Sequence, residues 1–241
     1  MPIFRRLFII FGLATIIPVI VILVLGNSFL NTLNQSSQAV TVSAAAQTIA
    51  SQQQNNLLRM NALMGELYNN TFAAASGVVK DPSLGASGAL IGSDIADLEL
   101  SFQLTLPNYN ASYSLATSPN MSTVRTIISQ DNLGGTLPQD QQAALNTVIK
   151  KDWPQYQVLQ DNALKQIAAL QANPPTLDTI NAKFEKVYST VYLANFKFLA
   201  LKIDWLKVVN YAAAMETTVT NVGQSQTRPV IIATAVAIVS I

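Results

Sequence analysis

Two uncharged apolar runs bracket this chain, Leu7 to Leu25 near its start and Val230 to Ile241 at its end, with a polar segment between them. A helix needs roughly 20 apolar residues to cross a bilayer core, so the first run is long enough to span and the second reads as a span cut short. Arg5 and Arg6 precede the first run, and the next basic residue is Arg59. Basic flanks stay on the cytoplasmic side, which places residues 1–6 in the cytoplasm, a transmembrane helix over 7–30, an extracytoplasmic segment over 31–228 and the start of a second span at 229–241. A cleaved signal peptide fits less well, because the run exceeds the usual apolar stretch and Gly26 to Leu30 offers no Ala-x-Ala site. Pro18 is compatible with a span, since neighbouring groups can re-satisfy the carbonyl it frees.

Composition removes most common chemistries. The 241 residues contain no Cys and no His, which excludes disulfides, thiolate or imidazole metal sites and imidazole catalysis. Net charge is +1 and charged residues are 11% of the chain, so there is no basic field for nucleic acid. Asp94, Asp97 and Glu99 are paired carboxylates in principle, but a position at a helix start, where the dipole stabilises acids, is the simpler reading. Gly85 to Gly92 lacks the Lys and the strand of a phosphate loop. No catalytic residue, cofactor or metal site is expected.

Breakers and hydrophobic period organise the middle into helices. From Asn27 to about Ser76 there is no Pro and only Gly65, and Val42, Ala46, Ile49, Met60, Leu63, Leu67 and Phe72 fall at helical spacings, so one helix continues out of the membrane. Within it, Gln52 to Asn56 reads as a solvated or loosely packed turn of helix, with a polar ligand pocket as the competing reading. Gly77, Asp81-Pro82, Gly85, Gly88 and Gly92 mark a membrane-distal turn. Ser93-Asp94 then caps a second helix to Leu106, although Leu98 to Leu106 also alternates as a strand would. Pro107 ends it, a loop runs through Asn120, and a helical piece follows near 121–130. A third helix is expected over about Gln139 to Ala172, bent at Pro154. A fourth begins near Thr176 or Asp178, carries Phe184, Val187, Tyr188, Val191, Leu199, Ile203, Leu206 and Val209, and meets no Pro or Gly until Gly223.

The fold class expected is all-α, a membrane-anchored antiparallel four-helix bundle with very long first and fourth helices. Ligand-site pointers are sparse. Arg59 and Arg125 each stand alone in nearly uncharged stretches, where either could hold a small anion across a dimer interface or simply pair within the chain. Lys183, Lys186, Lys197, Lys202 and Lys207 read as a solvated face. Trp153, Trp205 and the tyrosines read as core or interface aromatics first.

A short basic N-terminus, a span, a long helical ectodomain and a second span resemble the N-terminal sensory half of bacterial transmembrane receptors, namely chemoreceptors and sensor histidine kinases with four-helix extracytoplasmic modules. The resemblance rests on layout across the whole chain and on no diagnostic motif. It implies an inner-membrane homodimer that binds a small molecule or periplasmic protein and signals through a HAMP relay to a kinase or methyl-accepting domain. No such domain lies within the 241 residues, and without His the chain carries no phosphoacceptor histidine. The expected function is therefore a sensory input module acting by helix displacement; a membrane-tethered helical scaffold without output is the alternative.

Overall fold

The computed structural model describes residues 2–75, 86–129, 135–173, 176 and 178–239, with the backbone alone at 2–19, 21–22, 74–75, 86–95, 102, 171, 226–227 and 229–239. The described elements are α1 (Pro2–Ala75), α2 (Ala86–Thr117), α3 (Met121–Ser129), α4 (Leu137–Thr147), a π turn (Val148–Asp152), α5 (Trp153–Ala172) and α6 (Ile180–Val239). No strand occurs among the described residues, and the alternating stretch Leu98 to Leu106 is helix.

Steps of three and four residues dictate how the two longest helices pack. Along α1 the buried positions run from Ser36 through Ala39, Ser43, Ala46, Ala50, Gln53, Leu57, Met60, Met64 and Leu67 to Thr71. Along α6 they run from Ile180 through Phe184, Val187, Val191, Ala194, Phe198, Leu201, Trp205, Val208, Ala212 and Met215 to Val219. A strict alternation of three and four averages 3.5 residues, the period that keeps one seam facing a partner in left-handed, knobs-into-holes packing. The two seams meet in opposite directions: Tyr68 lies against Phe184, Trp205 reaches Ala50, and Ser36 meets Gly223. At 1.5 Å per residue, the 74 residues of α1 extend about 110 Å and the 60 of α6 about 90 Å.

The shorter helices complete a bundle of long helices around this pair. α2 packs on α1, while α4 and α5 pack on α6. The main core joins Leu57, Met60, Met64 and Leu67 to Leu98 and Tyr109, to Leu145, Tyr156 and Ile167, and to Phe198, Leu201 and Trp205. Near the other end, α3 lays Met121, Val124, Ile127 and Ile128 against Ala39 and Val42 of α1 and Met215 and Val219 of α6, forming a second core.

Several sequence expectations are corrected. α2 starts at Ala86, so Gly88 and Gly92 lie inside it and Asp94, Asp97 and Glu99 are not in its first turn. A glycine costs about 1 kcal/mol in a helix interior and need not end it. Pro107 likewise sits inside α2, which continues to Thr117 where a loop was expected. Its exposed ring removes one ladder bond at the surface, a cost the buried face formed by Leu98, Ser101, Thr105, Tyr109 and Ser112 offsets. Strain from Pro154 appears upstream as the π turn, where the Trp153 N–H bonds the Val148 carbonyl. α6 runs through Gly223, which is a packing residue: a Cβ there would collide with the Ser36 hydroxyl, so the missing side chain makes room for Ser36 of α1. The turn segments 76–85, 130–134 and 174–175 lie outside the described residues.

Among the described residues no helix is long and apolar enough to cross a membrane. Most of the first apolar run and all of the second lie where only backbone is described or beyond it; Ile20, Leu23, Val24 and Leu25, the described side chains of the first, are all exposed.

Candidate functional site

Heptad phase carries Gln53 into the core, and that one residue organises a polar layer across α1 and α2. Gln53 is fully buried, and its Oε1 accepts a hydrogen bond from Asn108 Nδ2 at 2.9 Å. One turn along α1, Asn56 Nδ2 donates to the Ser101 carbonyl and to Thr105 Oγ1, each at 3.0 Å. The tract Gln52 to Asn56 is therefore neither a wholly solvated turn nor an open pocket. Spacing alone could have found this, because Ala50, Gln53 and Leu57 follow the same three-four steps as the apolar positions around them.

Beside this layer an aromatic series crosses the bundle. Trp153 at the head of α5 meets Tyr109 of α2 edge-on with ring centroids 5.5 Å apart, and Tyr109 leans on Trp205 of α6 at 5.0 Å. Trp205 Nε1–H donates to the Ala50 carbonyl of α1 at 2.9 Å, so three rings link four helices. Burial holds the Tyr109 phenol above its ordinary range, only partly offset by the neighbouring Gln53 amide. The expectation that Trp153 and Trp205 are core aromatics matches their near-complete burial.

A carboxyl pair lies next to the series. Burial, then a hydrogen bond to Asp204 and repulsion from it, hold Asp152 above the usual carboxylate range. Lys207, with its Nζ 2.5 Å from Asp204 Oδ1, holds Asp204 below that range. The two carboxyls are thus shifted in opposite directions, and Asp152 Oδ2 is buried without a hydrogen-bond partner. No group of three or more metal-ligating side chains occurs among the described residues.

The two arginines singled out by sequence lie apart and have partners inside the chain. Arg59 Nη2 pairs with Asp97 of α2 at 3.0 Å, both side chains being about half exposed, which makes this a surface bridge worth about 0–1 kcal/mol. Arg125 Nη2 donates to the Ala116 carbonyl at 3.1 Å and ties α3 to the end of α2. Asp97 and Ala116 are separated by about 30 Å of helix, so the structure does not assemble the arginines into one site. The side chains of Arg5 and Arg6 lie outside the described residues. The five lysines of α6 line its outer surface; Lys197 Nζ donates to Gln155 Oε1 at 2.9 Å, and Lys183 and Lys186 edge a cleft of about 650 Å³ at the α5–α6 end.

A second cleft of about 650 Å³ opens between α2 and the π turn, lined by Pro107, Leu106 and Gln103 on one side and Ile149, Trp153 and Pro154 on the other. It brings Pro107 of α2 together with Pro154 at the start of α5, and Trp153, the first ring of the aromatic series, lines it. Comparison of the chain with protein-family models, curated proteins and solved structures found no match.

Proposed function

We propose that the chain is the extracytoplasmic sensory input module of a bacterial transmembrane signalling receptor, passing ligand or partner binding to the cytoplasmic side by displacing α6 against α1. In this reading the molecule is a membrane-anchored antiparallel four-helix bundle. Residues 7–30 form the first span, 31–228 the sensor in the periplasm, and 229 begins the second span, with Arg5 and Arg6 holding the N-terminus in the cytoplasm. The observation that carries it is the α1–α6 pair: the two helices that bear the apolar runs lie side by side in opposite directions, and Ser36 meets Gly223 shortly before those runs begin. Anchored this way, both helices leave the bundle at the same end. The exposure of Ile20, Leu23, Val24 and Leu25 on successive faces of α1 supports lipid contact there.

The reading includes a homodimer. α6 carries a second apolar stripe on the side away from its buried seam: Tyr188, Tyr192, Phe196, Leu199, Ile203 and Leu206, each 41–64% exposed. Phe72 and Leu193 extend it. At roughly 100 Å² of exposed side chain each, these eight residues offer about 800 Å², the area one partner contributes to a standard interface. A second copy anchored in the same membrane presents the same stripe at the same height, and no carboxylate interrupts the stripe between Tyr188 and Ile203.

Topology is the direct test, and the absence of native Cys makes it clean. Single cysteines at Ile3, Ser37 and Ser225 are introduced in separate full-length chains and treated in intact spheroplasts with a membrane-impermeant maleimide. Ser37→Cys and Ser225→Cys are expected to label at once and Ile3→Cys only after permeabilisation. Labelling of all three from the same side would remove the membrane-anchored reading.

A further inference from the structure

We propose that the cleft between Pro107 and Pro154 is a binding site for a neutral small molecule with a flat apolar body and one or two N–H or O–H donors. The inference goes beyond the sensory reading and holds whether or not the apolar runs enter a bilayer.

Backbone chemistry sets the ligand's polar requirement. Proline has no N–H, so Pro107 leaves the Gln103 carbonyl, four residues back, without its ladder donor. In the π turn the register is five residues, as the Trp153 N–H to Val148 carbonyl bond shows, and Pro154 therefore stands opposite the Ile149 carbonyl, which also loses its donor. Gln103 and Ile149 both line this cleft, as do the two prolines. Two adjacent helices thus each give up one ladder bond at the same place. Water serves these carbonyls in the open cleft, and a ligand N–H or O–H can take its place.

The walls set the rest. Leu106, Ile149, Trp153 and the two proline rings are apolar, Gln103 and Gln157 are the neutral polar residues of the lining, and no ionisable side chain lines the cleft among the described residues, so a neutral ligand fits it better than a charged one. The volume of about 650 Å³ lies within the range of small-molecule sites. Pressure on Trp153 reaches α6 and α1 through Tyr109 and Trp205, the ring contacts at 5.5 and 5.0 Å. π turns inside helices are frequent at functional sites, in keeping with this placement.

The test compares benzamide, which has two N–H donors, with N,N-dimethylbenzamide, which has none, on the full chain in lipid nanodiscs, read by tryptophan fluorescence and calorimetric titration. Benzamide is expected to give a saturable response at least tenfold tighter than the dimethyl compound. Leu106→Trp, at a half-exposed position, is expected to fill the cleft and abolish saturation while circular dichroism stays unchanged. Pro107→Ala with Pro154→Ala restores both ladder donors and is expected to erase the preference for benzamide. Equal, non-saturating responses to the two amides, or a benzamide response that persists in Leu106→Trp, would overturn the assignment.

Discussion

Trp205→Ala is expected to lower the unfolding free energy by about 3–5 kcal/mol, the range for removing a large buried aromatic ring. Trp205 is fully buried where α6 faces α1 and α2, in ring contact with Tyr109 at 5.0 Å, and its indole N–H donates to the Ala50 carbonyl. Truncation opens a cavity between helices and removes both contacts at once. Trp205→Phe keeps most of the ring volume and loses the hydrogen bond, so a smaller loss is expected, with about 1 kcal/mol of it from that bond. Denaturant unfolding of the full chain in detergent, followed by circular dichroism, measures both. A loss below about 1 kcal/mol for Trp205→Ala would mean that the three-ring series does not bind the helices together.

A second expected result separates the two apolar faces of α6. Leu201→Asp places a carboxylate at a fully buried seam position and is expected to cost about 3–5 kcal/mol or prevent folding, because burial strips the charge of its hydration. Ile203→Asp, two residues on and 51% exposed, is expected to change monomer stability by no more than about 0.5–1 kcal/mol. In the homodimer reading it also weakens self-association, which light scattering on the same samples measures. Equal destabilisation by the two substitutions would contradict the assignment of faces.

That contrast shows where the sequence was legible and where it misled. Helical class, the ends of α1 near Ala75 and of α5 near Ala172, and the short helix α3 follow from breakers and period, and they match. The buried face of α6 was only half legible. Its apolar residues fall on two stripes, and Tyr188, Leu199, Ile203 and Leu206 carry as strong a hydrophobic signal as Phe198, Leu201 and Trp205; only packing against α1 and α5 decides between them. Pro107 misled for a related reason. A proline on the solvent side of a helix removes a single exposed ladder bond, so burial of the opposite face outweighs it. Gly223 looked like a helix end and is a close approach, a distinction that depends on Ser36, 187 residues earlier in the chain.

The binding features were the least legible. Arg59 and Arg125 stood out because charges are scarce; Arg59 pairs with Asp97, and Arg125 gives one N–H to the Ala116 carbonyl while its Nε is buried without a partner. The cleft draws on Pro107 and Pro154, residues that a linear reading treats as interruptions. Only the side-by-side packing of α2 with the π turn puts them in one place.

Everything proposed for signalling depends on α1 and α6 running as one pair up to the apolar segments. The most direct measurement is a disulfide between Ser36→Cys and Gly223→Cys in the full chain, in membranes, since the chain has no other cysteine. A Cβ built at Gly223 lies 3.5 Å from Ser36 Cβ, inside the range a disulfide spans. Rapid, near-complete oxidation within single chains is expected, with Ser37→Cys and Gly223→Cys as a slow control. Absence of the bond, or bonds formed only between chains, would contradict the account.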